Sequence, residues 1–128
     1  MATLEFPAPP SPNGYSHVVS VAPGSRLIHT SGQVAIDADG KVPPGWADQT
    51  RLVFRNLTGV LAAAGASWGD VVKLTYFVTG VEELLTVRAV RDEFVDVTRP
   101  PASSLVQVAG LFRPDLLIEI EAVAAVPA

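Results

Sequence analysis

The sequence contains no cysteine and only two histidines in 128 residues. Without cysteine the chain forms no disulfide, offers no thiol nucleophile and has no cysteine ligand for zinc. Two histidines leave few nitrogen ligands for a structural metal site. We therefore expect no metal.

Positive charge is also scarce, with nine Lys and Arg residues against thirteen Asp and Glu, a net charge of −4 and a pI near 5.0. Proteins that bind nucleic acids need clustered positive charge to displace counterions from phosphates, so we expect no nucleic-acid partner. The sequence has no run of about 18 uncharged apolar residues that would cross a bilayer. Its N-terminus is rich in proline and lacks the positive segment of a signal peptide. These features predict a cytoplasmic protein with no membrane partner.

Charged residues are few overall, at 17% of the chain, against about 25% in an ordinary soluble domain. The mean hydropathy is +0.34. A domain of this length leaves much of its surface exposed, and a surface so poor in charge favours burial against another molecule. The composition therefore predicts that copies of the chain associate with one another.

The first 14 residues differ from the rest because they contain four prolines. They are predicted to form an extended arm, residues 1–14, before a single domain, residues 15–128. Two apolar runs open that domain, at residues 15–21 and 26–34. Pro23-Gly24 between them is typical of a turn, because proline fixes φ and glycine accepts positive φ. The two runs predict a β-hairpin.

Two amphipathic segments and three further apolar segments follow. Apolar residues recur every three or four positions over residues 46–64 and 81–97, which predicts helices. Residues 71–79, 103–109 and 116–126 predict strands, the first of them dense in β-branched and aromatic residues. The resulting order is β-β-α-β-α-β-β, an α+β fold in which two helices cover one face of a mixed sheet.

The strand predicted at residues 71–79 is apolar on both faces. Simple alternation places Val71 and Phe77 on one side and Val72, Leu74, Tyr76 and Val78 on the other. Two helices cover only one face of such a sheet, so the second apolar face needs a partner. Self-association through this open face is the simplest solution, and any ligand site would then lie between subunits.

Two carboxylates interrupt the apolar pattern of the last strand. Because side chains alternate along a strand, Glu119 and Glu121 lie on the same face, about 7 Å apart. Such a carboxylate is either solvated at a sheet edge, paired with Lys73 or an arginine, or placed in a site where it exchanges protons as a general acid or base. The residues alone leave these interpretations open.

Three other positions are weaker candidates for a site. Gly32 ends the second apolar run, where backbone N–H groups can approach a ligand or the chain can simply bend. His17 and His29 lie in predicted strands, and lone histidines in such positions are more often structural than catalytic. None of the three predicts a reaction by itself.

The order and spacing of several short motifs resemble the RidA/YjgF family of small trimeric proteins. The motifs are Gly14-Tyr15-Ser16-His17, Thr30-Ser31-Gly32-Gln33, Gln49-Thr50-Arg51 with Asn56-Leu57 in the first predicted helix, Asp70-Val71-Val72-Lys73-Leu74-Thr75, and Ile118-Glu119-Ile120-Glu121-Ala122. The resemblance covers nearly the whole chain from Gly14 onward.

The resemblance implies a chorismate-mutase-like subunit assembled as a homotrimeric barrel, with three small-molecule sites in clefts between subunits. Active members of the family hydrolyse enamines and imines to keto acids and ammonia without a metal or organic cofactor, so we expect no cofactor. By the same resemblance, Glu119 handles the water and Tyr15 lines the cleft. The backbone around Gly32 and Leu105 is implied to hold a polar group of the substrate.

Two positions depart from the family pattern. Ser103 stands where the resemblance implies an arginine that binds the substrate carboxylate, and a serine hydroxyl does not supply that charged pair of donors. Arg88 stands where the family has an asparagine near the cleft, so it either replaces the missing guanidinium from another direction or extends into solvent. Arg113, in the last predicted loop, is a lesser candidate. The substrate is therefore predicted to differ from the usual 2-imino acids.

Two other functions compete with hydrolysis. A non-catalytic trimer that binds or senses a small metabolite would keep the cleft without the chemistry. Ribonuclease activity has also been attached to this family, but the pI near 5.0 speaks against a nucleic-acid substrate. The hydrolase and the binding protein both remain open on the sequence.

Overall fold

Two helices lie on one face of a mixed β-sheet in the computed structural model, which describes residues 3–128. The helices are α1 (Trp46–Ala63) and α2 (Leu84–Arg91), and a short 3-10 helix covers Trp68–Asp70. The strands are β1 (Leu4–Glu5), β2 (Ser20–Val21), β3 (Arg26–His29), β4 (Gln33–Val34), β5 (Val71–Val78), β6 (Ala102–Gln107) and β7 (Ile118–Val126). The α+β architecture predicted from the sequence is confirmed.

Strand β7 is central to the main sheet, whose order is β3-β7-β5-β6. It pairs in antiparallel fashion with β3, β4 and β5. β5 and β6 run parallel, because α2 carries the chain back across the sheet between them. β1 and β2 form a separate two-stranded sheet, so the start of the described chain is paired rather than free.

The predicted hairpin at the start of the domain is wrong in its pairing. The turn itself forms, with Gly24 at a φ of +81°, but β2 pairs with β1 and β3 pairs with β7. The long strand β7 offers β3 a larger apolar partner than the two residues of β2 do. The run at residues 26–34 is also divided into the two strands β3 and β4. Between them, Thr30 bonds to Ala122 with its side chain as well as its backbone: the Thr30 N–H donates to the Ala122 carbonyl, and the Thr30 hydroxyl accepts from the Ala122 N–H.

The two helices follow their predictions unequally. α1 covers the expected segment and stops beside Gly65, whose φ of +80° suits the end of a helix. α2 is shorter than the predicted segment 81–97 and ends at Arg91. Beyond it, the Asp96 carboxylate accepts hydrogen bonds from the N–H and the hydroxyl of Thr98, and such local bonds compete with helix formation.

Strand β5 departs from simple alternation at its start. A bulge lies between Val71 and Lys73, and the extra residue turns Val71 to the same side as Leu74. Val71 is only 2% exposed there. The prediction that Val71 shares a face with Phe77 is therefore wrong.

Alternation along β7 separates the two faces of the sheet. Four residues are at most 2% exposed beneath the helices: Ile118, Ile120, Ala122 and Ala124. The residues between them, Glu119, Glu121 and Val123, lie on the opposite face and are half-buried. Neighbouring strands add Leu27 and Val106 to this open face, at 54% and 46% exposure. An uncovered face with apolar side chains favours contact with another molecule.

A buried polar residue connects α1 to the segment that leads into β7. Gln49 is 1% exposed. Its Nε2 donates to the carbonyls of Pro43 and Asp115 at 3.0 and 2.8 Å, and its Oε1 accepts from the Leu117 N–H at 2.8 Å. The pattern of apolar residues along α1 does not predict that a glutamine is buried, because its burial requires hydrogen-bond partners from distant parts of the chain.

Gln49→Ala is expected to lower the free energy of unfolding by about 3 kcal/mol, because three partly buried backbone groups lose their partner. Urea unfolding measures this loss. Arg55→Ala is the control, since Arg55 is exposed on the same helix and should change stability by less than about 0.5 kcal/mol. Equal stability of the two variants would contradict the role assigned to Gln49.

Candidate functional site

A cavity of about 250 Å³ opens between α2, the edge strand β6 and the segment before β2. Four of the six residues predicted for the site line it: Tyr15, Arg88, Ser103 and Leu105. Apolar side chains of α2 complete the wall. Sites for drug-sized ligands start at about 300 Å³, so this cavity suits a small metabolite.

Strand register positions the β6 residues of the cavity. Ser103 lies opposite Leu74, and Leu105 lies opposite Tyr76. Leu74 and Tyr76 are 1% and 4% exposed beneath the helices. Because paired residues point to the same side of a sheet, Ser103 and Leu105 also face the helix-covered side. The cavity therefore lies on that side.

Tyr15 reaches the cavity because the chain before β2 is attached to the start of β6. Ser16 pairs with Ala102 in a parallel bridge, and its buried hydroxyl donates to the Pro100 carbonyl at 2.6 Å. The Tyr15 ring packs edge-on against His17, with ring centroids 5.2 Å apart. The packing against His17 supports the position of the Tyr15 ring.

Two arginines of α2 line the cavity, and only Arg88 is predicted from the sequence. Arg91 follows one turn later. Its Nε donates a hydrogen bond to Asp92 Oδ1 at 3.0 Å, and its Nη2 forms an ion pair with the same oxygen at 2.9 Å, with the side chain 12% exposed. Their i, i+3 spacing is the signal that would have indicated a common face. Within residues 3–128 no carboxylate lines the cavity. Its two arginines contribute positive charge, although that of Arg91 is paired with Asp92 behind the wall.

Gly14 provides the space in which the Arg91 guanidinium lies. Its φ is +82°, a conformation that glycine adopts readily and other residues rarely do. A Cβ atom at this position would overlap the guanidinium and lie 2.6 Å from Arg91 Cζ. Because glycine has no side chain, position 14 leaves room for the Arg91 guanidinium at the cavity wall.

Tyr76 also lines the cavity, although the sequence indicates only a core residue of β5. It is 4% exposed, and its hydroxyl has no hydrogen-bond partner within residues 3–128. Burial raises the pKa of the phenol. This effect outweighs the lowering by the nearby positive charge of Arg91, and the carboxylate of Asp92 raises the pKa further. The hydroxyl therefore keeps its proton at neutral pH and can donate a hydrogen bond.

The other two predicted residues, Glu119 and Gly32, lie together on the open face of the sheet. Glu119 is opposite Val34 of β4 and Phe77 of β5, between core residues of β7. A Cβ atom on Gly32 would overlap the Glu119 carboxyl group and lie 2.7 Å from its Cδ. Gly32 thus leaves room for this carboxylate, on the opposite side of the sheet from the cavity.

The other charges considered for the site are engaged elsewhere. The Lys73 ammonium donates to the Ser104 hydroxyl at 2.9 Å, and Glu119 takes part in none of the salt bridges of residues 3–128. Arg113 donates two hydrogen bonds to Asp115, at 3.1 and 2.7 Å, which hold the pKa of that carboxyl below its usual value. The structure therefore does not support an ion pair between Glu119 and Lys73.

The described residues suggest proton transfer and anion binding as the available chemistry. Among residues 3–128, no group of three or more His, Asp and Glu side chains is placed to hold a metal ion. No helix in this part of the chain has the length and apolar character needed to cross a membrane. The cavity offers hydrogen-bond donors and positive charge, and the open face offers a carboxylate.

The chain is similar to known proteins along nearly its whole length. The family described as endoribonuclease L-PSP matches residues 6–126. The 2-iminobutanoate/2-iminopropanoate deaminase of Escherichia coli K12 is 38% identical over 127 residues, which cover 97% of this chain and 94% of that protein.

Two solved structures have the same fold. YyfB of Yersinia pestis, a Rid-family protein of unknown function, has a TM-score of 0.88 and 34% identity, covering 98% of this chain and 100% of its own. TdcF of Escherichia coli, solved with bound serine, has a TM-score of 0.73 and 30% identity, covering 93% of this chain and 98% of its own. These values extend the similarity to the fold of the whole subunit.

Gly14→Ala is expected to lower the free energy of unfolding more than Gly24→Ala does. The two glycines have φ values of +82° and +81°, so a backbone penalty of about 1–2 kcal/mol is common to both variants. Only the methyl group at position 14 collides with Arg91, because no atom of the described residues lies within 4 Å of a Cβ at Gly24. Urea unfolding measures both losses, and equal values would contradict the contact between Gly14 and Arg91.

Proposed function

Because the chain belongs to the YjgF/RidA family, we propose that it is a small-molecule hydrolase that deaminates an enamine, an imine or a related C–N compound. The Glu119 carboxylate, for which Gly32 leaves room on the open face, is the observation that carries this proposal. Two relatives also support it. One is named a deaminase of 2-iminobutanoate and 2-iminopropanoate, and the structure of another contains bound serine, which is also a small compound with a C–N bond.

The reaction is proposed to occur in clefts between the subunits of a homotrimer. Within one subunit, Tyr15 and Ser103 line the cavity on the helix side, whereas Glu119 and Gly32 lie on the other side of the sheet. A neighbouring subunit that presents its open face to the mouth of the cavity would bring the two groups together. Burial of the exposed apolar side chains of that face would stabilise the contact.

Glu119 is proposed to carry protons during the reaction. Its carboxylate accepts a proton from water as the water oxygen attacks the C=N carbon and the C=N electron pair moves to nitrogen. Glu119 returns that proton to the nitrogen. It then transfers the hydroxyl proton of the carbinolamine to the same nitrogen, so that ammonia leaves as the C=O bond forms. An enamine substrate first takes a proton on carbon from protonated Glu119. The reaction consumes only water and transfers only protons, so we expect no metal or cofactor.

The remaining cavity residues are proposed to position the substrate. Tyr15 lines the cleft, and the backbone around Gly32 and Leu105 holds a polar group. Ser103 supplies a single hydroxyl where a carboxylate needs a charged pair of donors, so small 2-imino acids are not the preferred substrates. Arg88, half-buried at the cavity wall, partly replaces the missing charge.

The same observation at Ser103 favours a second candidate function. A trimer that binds or senses a small metabolite would use the cavity without turnover. Such a protein would not need Glu119 as a general acid or base. Ribonuclease activity, which the family description names, is less compatible with a net charge of −4. The two candidates are separated by whether Glu119 affects turnover or only affinity.

Sedimentation at micromolar concentration is expected to give a mass of roughly three times the 13.4 kDa subunit. Val106→Asp should shift the protein towards monomer, because it places a charge on the open face, where Val106 is 46% exposed. Leu85→Asp is the matched control, since Leu85 is 78% exposed on α2 and its substitution should leave the mass unchanged. A wild-type monomer would contradict the proposed assembly.

Glu119→Gln is expected to lower turnover on the order of 100-fold or more, because the general acid and base is removed. Ammonia release is measured with imines generated by an amino-acid oxidase, with 2-aminoacrylate and with an uncharged enamine. Glu121→Gln is the matched control, two residues along the same face and opposite Thr75, and should keep wild-type turnover. Absence of wild-type turnover on every compound would favour the binding protein.

A further inference from the structure

The cavity between α2 and β6 has two ends, and the direction of the chain places different residues at each. α2 connects the parallel strands β5 and β6, so it runs opposite to both. Leu84, at the start of α2, therefore lies beside the later part of β6, where Leu105 lines the cavity. Arg91, at the end of α2, lies beside the start of β6. The contact of Arg91 with Gly14 agrees with this direction, because the nearby Ser16 is bridged to the first residue of β6.

The end of the cavity near the start of α2 is apolar. Leu84 and Val87 line the cavity from α2, three residues apart and hence on one side of the helix. Leu105 lines it from β6. Leu84 and Leu105 are half-buried, and Val87 is 3% exposed. Together, Leu84, Val87 and Leu105 form an apolar subsite.

The opposite end of the cavity is polar. Arg91 and Ser103 line it there, since one ends α2 and the other is the second residue of β6. Asn13, next to the glycine that Arg91 contacts, adds a side-chain amide. Arg88 lies between the two ends, one turn after Leu84. The lining of the cavity therefore changes from apolar to polar along the axis of α2.

We propose that the ligand carries an aliphatic substituent, longer than the ethyl group of 2-iminobutanoate, that binds in the apolar subsite. Leu84 lies about 10 Å from Arg91 along the axis of α2, at 1.5 Å per residue. A ligand whose polar group is held at one end of the cavity reaches the other end only through a chain of several carbon atoms. Leu84 and Leu105 then determine the length of the substituent that the site accepts. This inference rests on the proposed function only in taking the cavity as the ligand site.

Burial of the substituent is the source of this preference. Each CH2 group transferred from water to an apolar environment is expected to raise the affinity about fourfold. The side chains of the subsite carry no polar atom, so a hydroxyl or a charged group in the same place would lose its hydrogen bonds to water without a replacement. The subsite thus favours longer alkyl groups over polar ones.

The test measures the binding of 2-butanone, 2-pentanone and 2-hexanone by ligand-observed NMR. These ketones have no charged group and differ only in the length of one alkyl chain, so the change of affinity with length reports on the apolar subsite. The wild type is expected to bind each ketone about fourfold more tightly than the next shorter one. Leu84→Asn should reduce this increase to less than about twofold, because it places an amide in the subsite.

Leu85→Asn is the matched control. Leu85 is the next residue of α2, is 78% exposed and does not line the cavity, so its substitution should leave the dependence on chain length unchanged. Leu84→Phe is a second variant that keeps the subsite apolar but fills it, so 2-hexanone should bind no more tightly than 2-butanone. Thermal unfolding of each variant verifies that it is folded.

Three results would overturn the inference. The first is a wild type that binds no ketone or binds all three with equal affinity. The second is the wild-type dependence on chain length in both Leu84 variants. The third is the loss of that dependence in Leu85→Asn, which would place the alkyl chains on the exposed surface of α2.

The outcome is separable from that of the deaminase proposal, because ketone binding needs no turnover. A dependence on chain length that requires Leu84, in a protein without turnover, would support the inference and contradict the hydrolase. Turnover that depends on Glu119, with ketone affinity independent of chain length, would support the hydrolase and contradict the inference.

Discussion

Strand β7 lies between two environments, and this constraint organises the rest of the structure. One set of its residues forms the floor of the helix-covered core, with Ile118 and Ile120 completely buried. The alternate set presents Glu119 on the open face. Because β3, β4 and β5 all pair with β7, a shift of one residue in its register would exchange the carboxylates with the core.

The cavity depends on a different compromise, between the stability of the subunit and the chemistry of its wall. α2 is only eight residues long, and it covers the edge strand β6 incompletely. The space that remains is bounded by Arg91, which lies over Gly14, and by Tyr76, whose buried hydroxyl has no partner in the described part of the chain. A buried hydroxyl without a partner lowers the stability of the subunit, although the Tyr76 ring packs in the core against Phe54.

Periodicity and motif order predicted much of this arrangement. Alternation along the last strand placed Glu119 and Glu121 on one face, and helical spacing located both helices. Arg88 and Ser103 were recognised as site residues because they depart from a family pattern, and both line the cavity. Tyr76 and Arg91 were not, since an aromatic residue in a strand and a charged residue on a helix are ordinary in such elements.

The sequence by itself determined the fold class, the family and the faces of the β7 residues, because these follow from local periodicity and short motifs. It did not determine the face of Val71, which the bulge in β5 reverses. Tertiary structure alone decided that β3 pairs with β7 instead of β2 and that Gln49 bonds to Asp115 and Leu117. It also decided that the Tyr76 hydroxyl has no partner among the residues that the structure describes. These outcomes depend on contacts between residues far apart in the chain. No local pattern encodes such contacts, because a hydrogen bond or a cavity exists only once both of its sides are in place.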